Sequence, residues 1–251
     1  VSSDYKGDAT IDAVLTNRDG RLKSTIANYY CYNGNLVFGM HSSTAYRPAK
    51  FLPPGVNKPG DYSSIPYNTT DAPLFWLSET MENYAEAAAE LDNVGGEAIT
   101  QNDLDISINA LRQRDSVNVK PLQLSGHQGT AVDGKPFVDP KKDADVTSLI
   151  WEIRRDRRCE LMMDGFRYDD LIRWGKLYYM DSQKNPDCFL GANVTPNDQI
   201  TVNGQGYIQP YAATISRTVL DRDYLYPIPS NEISLYPANL QAGMQNPGWG
   251  Q

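Results

Sequence analysis

The run from Arg154 to Gly175 constrains this chain more than any other stretch. Acids and arginines alternate through it, and Gly165 divides it into two helical patterns. Glu160, Asp164, Arg167, Asp170 and Arg173 follow one another at three- or four-residue steps, which aligns them along connected helical faces. Such dense alternating charge is a solvated face, a catalytic cluster or a buried lattice of ion pairs. Catalysis would use Glu160 and Asp164 as a carboxylate pair for glycoside hydrolysis, about 5–9.5 Å apart across a cleft. Arg157 and Arg167 flank that pair, and a guanidinium neighbour favours the ionised carboxylate, which spoils a general acid. The spacing therefore favours a structural lattice of Arg157, Glu160, Asp164, Arg167, Asp170 and Arg173, locking two helices together through arginine–carboxylate bonds.

The chain has 251 residues, enough for one large domain or two small ones. Its 40% hydrophobic and 22% charged residues fit a folded globular protein. A net charge of −8 with dispersed basic residues argues against a nucleic-acid surface, which needs a basic stripe to release counterions. Sixteen tyrosines and four tryptophans against six phenylalanines give an aromatic set with polar handles, suited to surfaces both apolar and wet. Cys31, Cys159 and Cys188 are odd in number and lack Cys-x-x-Cys spacing, so at least one thiol has no partner in the chain. Cys159 reads as a small core residue. His41 and His127 stand in neither metal nor triad spacing, and His127 reads as an exposed loop residue. Asp103 and Asp105 open a helix, where they complement its dipole. With no nucleophile elbow, phosphate loop or dinucleotide fingerprint, no catalytic set, cofactor or metal is expected. No stretch approaches the roughly 20 apolar residues of a membrane span.

Residues 8–52 read as strands and turns, with a hairpin at Asn33-Gly34 between Tyr29–Tyr32 and Leu36–Phe38. Residues 53–73, dense in proline and glycine, read as an irregular surface loop. A helix follows in which Leu74, Leu77, Met81, Tyr84, Ala88 and Leu91 make one apolar face, with Asp71 as its cap and Gly95-Gly96 as its stop. The next helix starts at Thr100 with Asp103 facing back, and buries Leu104, Ile108 and Leu111. Together they predict an antiparallel pair near the roughly 34-residue length of a tetratricopeptide unit. One such pair cannot cover its own faces, since about three repeats are needed for stability. An additional segment is therefore expected over Leu77, Met81, Tyr84 and Leu104. Residues 115–145 read as a polar loop, 147–163 and 167–180 as the charged helices, 181–219 as irregular and 220–251 as a proline-punctuated extended tail.

The order of motifs resembles the SusD/RagB family. The charged run is similar to its "ER..EL..EG.R..DL.RWG" pattern, Tyr226-Pro227-Ile228-Pro229-Ser230-Asn231-Glu232 to its "PIP..E" turn, and Gln245-Asn246-Pro247-Gly248-Trp249 to its terminal "QNPG" and aromatic. Asn17–Lys23 resembles the family's "DPRL" segment with Gly20 in place of the proline. Tyr46–Phe51, Glu82–Ala87 and Ile108–Arg114 resemble three further segments, and Asp156 and Asp164 stand where the family favours glutamate. The resemblance implies a mainly α protein with a tetratricopeptide-like helical pair, extensive irregular loops and a few short strands. It further implies that residues 1–251 form the C-terminal domain, and that an N-terminal repeat-containing half and a lipid anchor on it lie outside this chain. The implied function is non-catalytic capture of an oligosaccharide, or of a peptide in some members. The implied setting is the outer-membrane surface of a Gram-negative bacterium, with delivery to a TonB-dependent transporter. The rivals are a secreted hydrolase using Glu160 and Asp164 and a repeat adaptor binding protein through residues 74–114.

A sugar site needs an aromatic face for the apolar side of a pyranose and amides or carboxylates for its hydroxyls. Tyr29 and Tyr32 of the hairpin, and Tyr62, Tyr67, Asp61 and Asn68 of the 53–73 loop, are the candidate ligand-binding residues, whereas Tyr30 reads as core.

Overall fold

Helix α6 (Ser148–Glu160) is the axis of the computed structural model, which describes residues 6–32, 42–51, 71, 73–117, 119–196, 200–211 and 215–250. Thr147 starts α6 by accepting the Ile150 N–H at 3.1 Å, and Arg157 and Arg158 in the last turn complement its dipole. Before it come α1 (Ile11–Leu15), α2 (Gly20–Thr25), α3 (Leu77–Asn93), α4 (Gln101–Asp105) and α5 (Ile108–Arg112). After it come α7 (Arg167–Arg173), α8 (Ser230–Ser234) and α9 (Ala238–Gln241), with single 3-10 turns at Leu177–Met180 and Asp221–Tyr224. The protein is mainly helical, as the motif order implies.

Small residues let α3 lie close along α6. Ala85 and Ala89 meet Leu149, Ile150 and Ile153, and Leu104, Ile108, Leu122 and Ile99 complete the main core. Burying each Leu or Ile stabilises by roughly 1.5–3 kcal/mol. The capping box at Thr100 and Asp103 starts α4, but the helix breaks at Ser107, so the second helix of the pair is two short pieces. The apolar stripe of α3 differs from expectation in its direction. The helix turns Glu82, Ala85, Glu86, Ala89 and Asp92 inward, while Leu77, Leu91 and Val94 are 71%, 48% and 77% exposed. Partners on other elements account for two of the inward acids, Arg173 and Arg154 for Glu86 and Gln128 for Asp92. Leu104, expected to share the uncovered face, is fully buried within the chain.

Residues 115–145 are not merely a loop. A three-stranded antiparallel sheet runs β1 (Gln123–Leu124), β2 (Thr130–Val132) and β3 (Lys135–Phe137), with Val132 opposite Lys135. Asp133 and Gly134 join β2 and β3 with φ of +53° and +71°, the two-residue turn that Asp-Gly supports. A second core gathers Ala45, Ala192, Val194 and Ile208, with Tyr30, Tyr32 and Tyr46 against it. Its extended segments are tied by bridges at Ile26 and Pro48, Asn193 and Tyr207, and Val202 and Ile208. The turn at Asn33-Gly34 lies outside the described residues, but the chain on either side is paired, Cys31 N–H to Ala45 O at 2.9 Å and Ser42 N–H to Cys31 O at 2.8 Å.

The two C-terminal motifs clasp each other. The Gln245 amide accepts the Ile228 N–H at 2.8 Å and donates to the Ile228 carbonyl at 2.9 Å. Asn246 donates to Tyr226 O at 2.6 Å and the Trp249 indole to Leu225 O at 2.7 Å. Gly20 also has a physical reason. A Cβ there would come within 1.5 Å of the Ser116 carbonyl oxygen, and its N–H donates to Val117 O at 2.9 Å. Gly20→Ala is expected to lower stability by about 1–3 kcal/mol through overpacking. Gly20→Pro should lower it further by removing the donor, and an unchanged melting temperature in either variant would contradict this contact.

Candidate functional site

The charged run forms a lattice that ties α2, α3, α5 and α7 to α6. Arg21 of α2 donates to Asp156 and, at 3.2 Å, to Glu160, and Arg112 of α5 donates to the other Asp156 oxygen. Burial opposes the Arg21 charge, but Asp156 and Asp19 outweigh it and hold its pKa above the ordinary range. Arg114 reaches Glu160 at 2.5 Å. Arg157 donates to Asp170 at 2.8 Å and to Asn83 at 2.8 Å. Arg173 holds Asp170 at 2.9 Å and clamps both oxygens of Glu86 at 2.8 and 2.6 Å. Asp164 is taken by Lys50 at 2.5 Å.

Arg167 departs from the lattice expected for it. Helix α6 stops at Glu160, Met163 and Gly165 adopt φ of +71° and +91°, and α7 starts at Arg167 in a new phase. No carboxylate among the described residues pairs with it. Its guanidinium lies over Trp174 at 5.6 Å and Tyr179 at 5.9 Å. Glu82 is the other irregular member. It is fully buried and neither oxygen has a hydrogen-bond partner, so burial, with Asp156 beside it, pushes its pKa well above the ordinary range.

Of the residues expected to touch sugar, Tyr62, Tyr67, Asp61 and Asn68 lie outside the described residues. Tyr29 and Tyr32 are half-buried and do not share a surface. Tyr32 packs with Tyr30 on the second core, whereas Tyr29 packs on Cys31 with Arg47 over its ring at 6.0 Å. Three residues apart on an extended segment, they point to opposite faces. Cys31 is buried, Cys159 partly buried and Cys188 exposed, all as free thiols. His127 is exposed and sits 3.1 Å from Asp92, and His41 lies outside the described residues.

Sequence reading overlooked a cleft of about 250 Å³ between residues 182–190 on one side and residues 209–211 and 215–217 on the other. Asp181 organises its floor by accepting N–H groups of Val219, Gln183 and Lys184, and these bonds, Val219 foremost, hold its carboxyl below the ordinary range. Ser182 and Arg217 join the two segments, with Ser182 N–H to Arg217 O and Arg217 N–H to Ser182 Oγ, both at 2.9 Å. Tyr211 and Phe189 meet edge to face at 6.1 Å, and Arg217 lies over both rings at 4.0 and 4.7 Å. Gln183, bonded to Ser216 at 3.0 Å, supplies polar groups on the rim. The exposed Tyr211 and half-buried Phe189 rings beside amide and hydroxyl groups are the chemistry a neutral sugar needs. The signal was the Phe189, Tyr211 and Arg217 set, but nothing periodic links residues so far apart.

Among the described residues no group of three His, Cys, Asp or Glu side chains is placed to hold a metal, and no helix is long and apolar enough to cross a membrane. No curated protein and no solved structure matches the chain. A family comparison does, and it covers residues 1–249, taking in the clasped C-terminal motifs, the charged lattice and the Gly20 segment together. The chain belongs to the SusD family.

Proposed function

We propose that this protein captures an oligosaccharide at the outer-membrane surface without cleaving it and passes it to a TonB-dependent transporter. The family supports nutrient binding, and its members are generally non-catalytic. The observation that carries the reading for this chain is the commitment of the charged run to structure. Glu160 is bonded by Arg21 and Arg114, and Asp164 by Lys50, so both carboxylates are engaged in holding the fold. Carboxyls with raised pKa values, Glu82 and Glu152, are buried between the helices out of reach of a substrate. This disfavours the hydrolase reading.

Sugar contact falls to the loops in this reading, to Phe189, Tyr211, Gln183 and Ser216 together with Tyr62, Tyr67, Asp61 and Asn68. Residues 1–251 act as the C-terminal domain, and the outward stripe of Leu77, Leu91 and Val94 packs against further helical repeats of the same polypeptide. Its support is the exposure of these apolar side chains on a helix that already buries its acidic side.

Calorimetric titration with a panel of neutral oligosaccharides tests the reading. Affinities of roughly micromolar to millimolar are expected. Tyr211→Ala should weaken binding about 2- to 13-fold, the loss of one ring contact of about 0.5–1.5 kcal/mol. A Tyr62→Ala, Tyr67→Ala double variant should lose a similar factor per ring. Equal affinities for all variants would place the site elsewhere, and binding confined to peptides would move the protein to peptide capture.

A further inference from the structure

On the side of α6 away from the lattice, Trp151, Arg154, Arg155 and Arg158 recur at three- and four-residue steps and share one face. That face meets Arg167 and Trp174 of α7, and Lys176 and Tyr179 beyond it, around a cavity of about 190 Å³. Six cationic side chains line it against the two carboxylates Asp139 and Asp143. Three of the cations are spoken for. Arg154 holds Glu90 at 3.0 Å, Arg155 holds Asp139 at 3.2 Å, and Lys176 holds Asp145 at 2.6 Å and Asp143 at 2.9 Å.

Arg158 and Arg167 are different, because among the described residues no carboxylate pairs with either. Burial, and then the charge of Arg158, lower the Arg167 pKa to about 10. Two like charges thus line an apolar-walled cavity, and Asp170, the acid that acts on Arg167, is already bonded to Arg157 and Arg173. An anion between them would relieve the repulsion and accept charge-assisted bonds from planar guanidinium forks, which suit a carboxylate. The walls are not those of a simple ion site, since Trp151, Trp174 and Tyr179 offer ring surface. Taking about 30 Å³ per water, the space equals roughly six waters, room for one sugar ring rather than two.

We infer that this cavity binds an acidic monosaccharide unit of the glycan, its carboxylate held by Arg158 and Arg167 and its ring against Trp174 and Tyr179. The inference rests on the glycan-binding reading and adds the charge class of the ligand. Asp139 and Asp143, although bonded to Arg155 and Lys176, add negative charge to the lining and disfavour a more highly charged phosphate.

The test is calorimetric titration of the protein with a methyl glucuronoside and with methyl glucoside, its neutral counterpart, alongside inorganic phosphate and acetate. The glucuronoside is expected to bind at least about tenfold more tightly than the other three, the discrimination typical of one lost charge-assisted pair. Arg167→Gln and, separately, the exposed Arg158→Gln should each remove most of that preference. The melting temperature of Arg158→Gln should stay at the wild-type value, so that its loss of binding cannot come from misfolding. Phosphate or acetate binding as tightly as the glucuronoside would overturn the sugar assignment. Neutral oligosaccharides binding while the glucuronoside gains nothing would overturn the acidic class and leave the glycan reading standing. Binding of no sugar of either kind would remove both.

Discussion

Asp156→Asn should destabilise the protein by about 3–5 kcal/mol, because it removes the buried carboxylate that two buried guanidiniums share. Asp156 is 2% exposed and each of its oxygens takes a different arginine, Arg21 from α2 and Arg112 from α5. The asparagine keeps the shape, but one side of it can only donate, so at least one arginine loses its acceptor. At roughly 2–4 °C per kcal/mol for a chain of this size, the melting temperature should fall by about 6–20 °C. Arg167→Gln should do nothing comparable, since no paired acid is left behind and a half-buried charge repelled by Arg158 is removed. Differential scanning calorimetry of both variants checks the contrast. A loss for Arg167→Gln as large as for Asp156→Asn would show that Arg167 belongs to the lattice after all.

Glu82→Gln should stabilise the protein, and more so as pH rises. The folded pKa of Glu82 lies above its unfolded value through burial and the nearby Asp156 charge. Its contribution is therefore fully present below the ordinary glutamate range and is lost as pH rises towards the folded pKa. Across that window the unfolded chain has released a proton that the folded chain keeps, so stability declines by about 1.4 kcal/mol per pH unit from this group alone. Glutamine has the shape without the proton equilibrium and removes that slope. Urea unfolding of both proteins at several values from pH 5 to 8 measures it. Parallel curves would mean that Glu82 is ionised in the folded protein and that an undescribed partner neutralises it.

The charged run predicts carboxylates bonded to arginine, because spacing along a helix reports which groups share a face, but it does not predict that Asp164 goes to Lys50. It could not show that Asp156 and Glu160 take their arginines from residues 21, 112 and 114, since such partners are brought together only by packing. Nor could it place Arg167, because the left-handed residues Met163 and Gly165 reset the helical phase between the two halves of the run. Periodicity likewise revealed that α3 has an apolar stripe but not that its acidic side would win the interior. That outcome depends on partners from elsewhere in the chain, Arg173 and Arg154 for Glu86 and Gln128 for Asp92. The β2–β3 hairpin was missed within the 115–145 loop, because its strands are three residues each and carry Lys135 and Pro136, too short and polar for alternation to show. The cleft at Phe189 and Tyr211 joins loop segments with no repeat between them, and only the bonds around Asp181 and Ser182 bring them together.

Capture without cleavage is tested most directly by recovering a bound oligosaccharide after prolonged incubation with the protein and weighing it by mass spectrometry. The lattice that occupies Glu160 and Asp164 predicts a ligand of unchanged mass, no new reducing ends, and the same result for Glu160→Gln protein that remains folded. Shortened products formed by the wild-type protein and abolished by Glu160→Gln, with stability intact, would contradict it and make the charged run a catalytic centre.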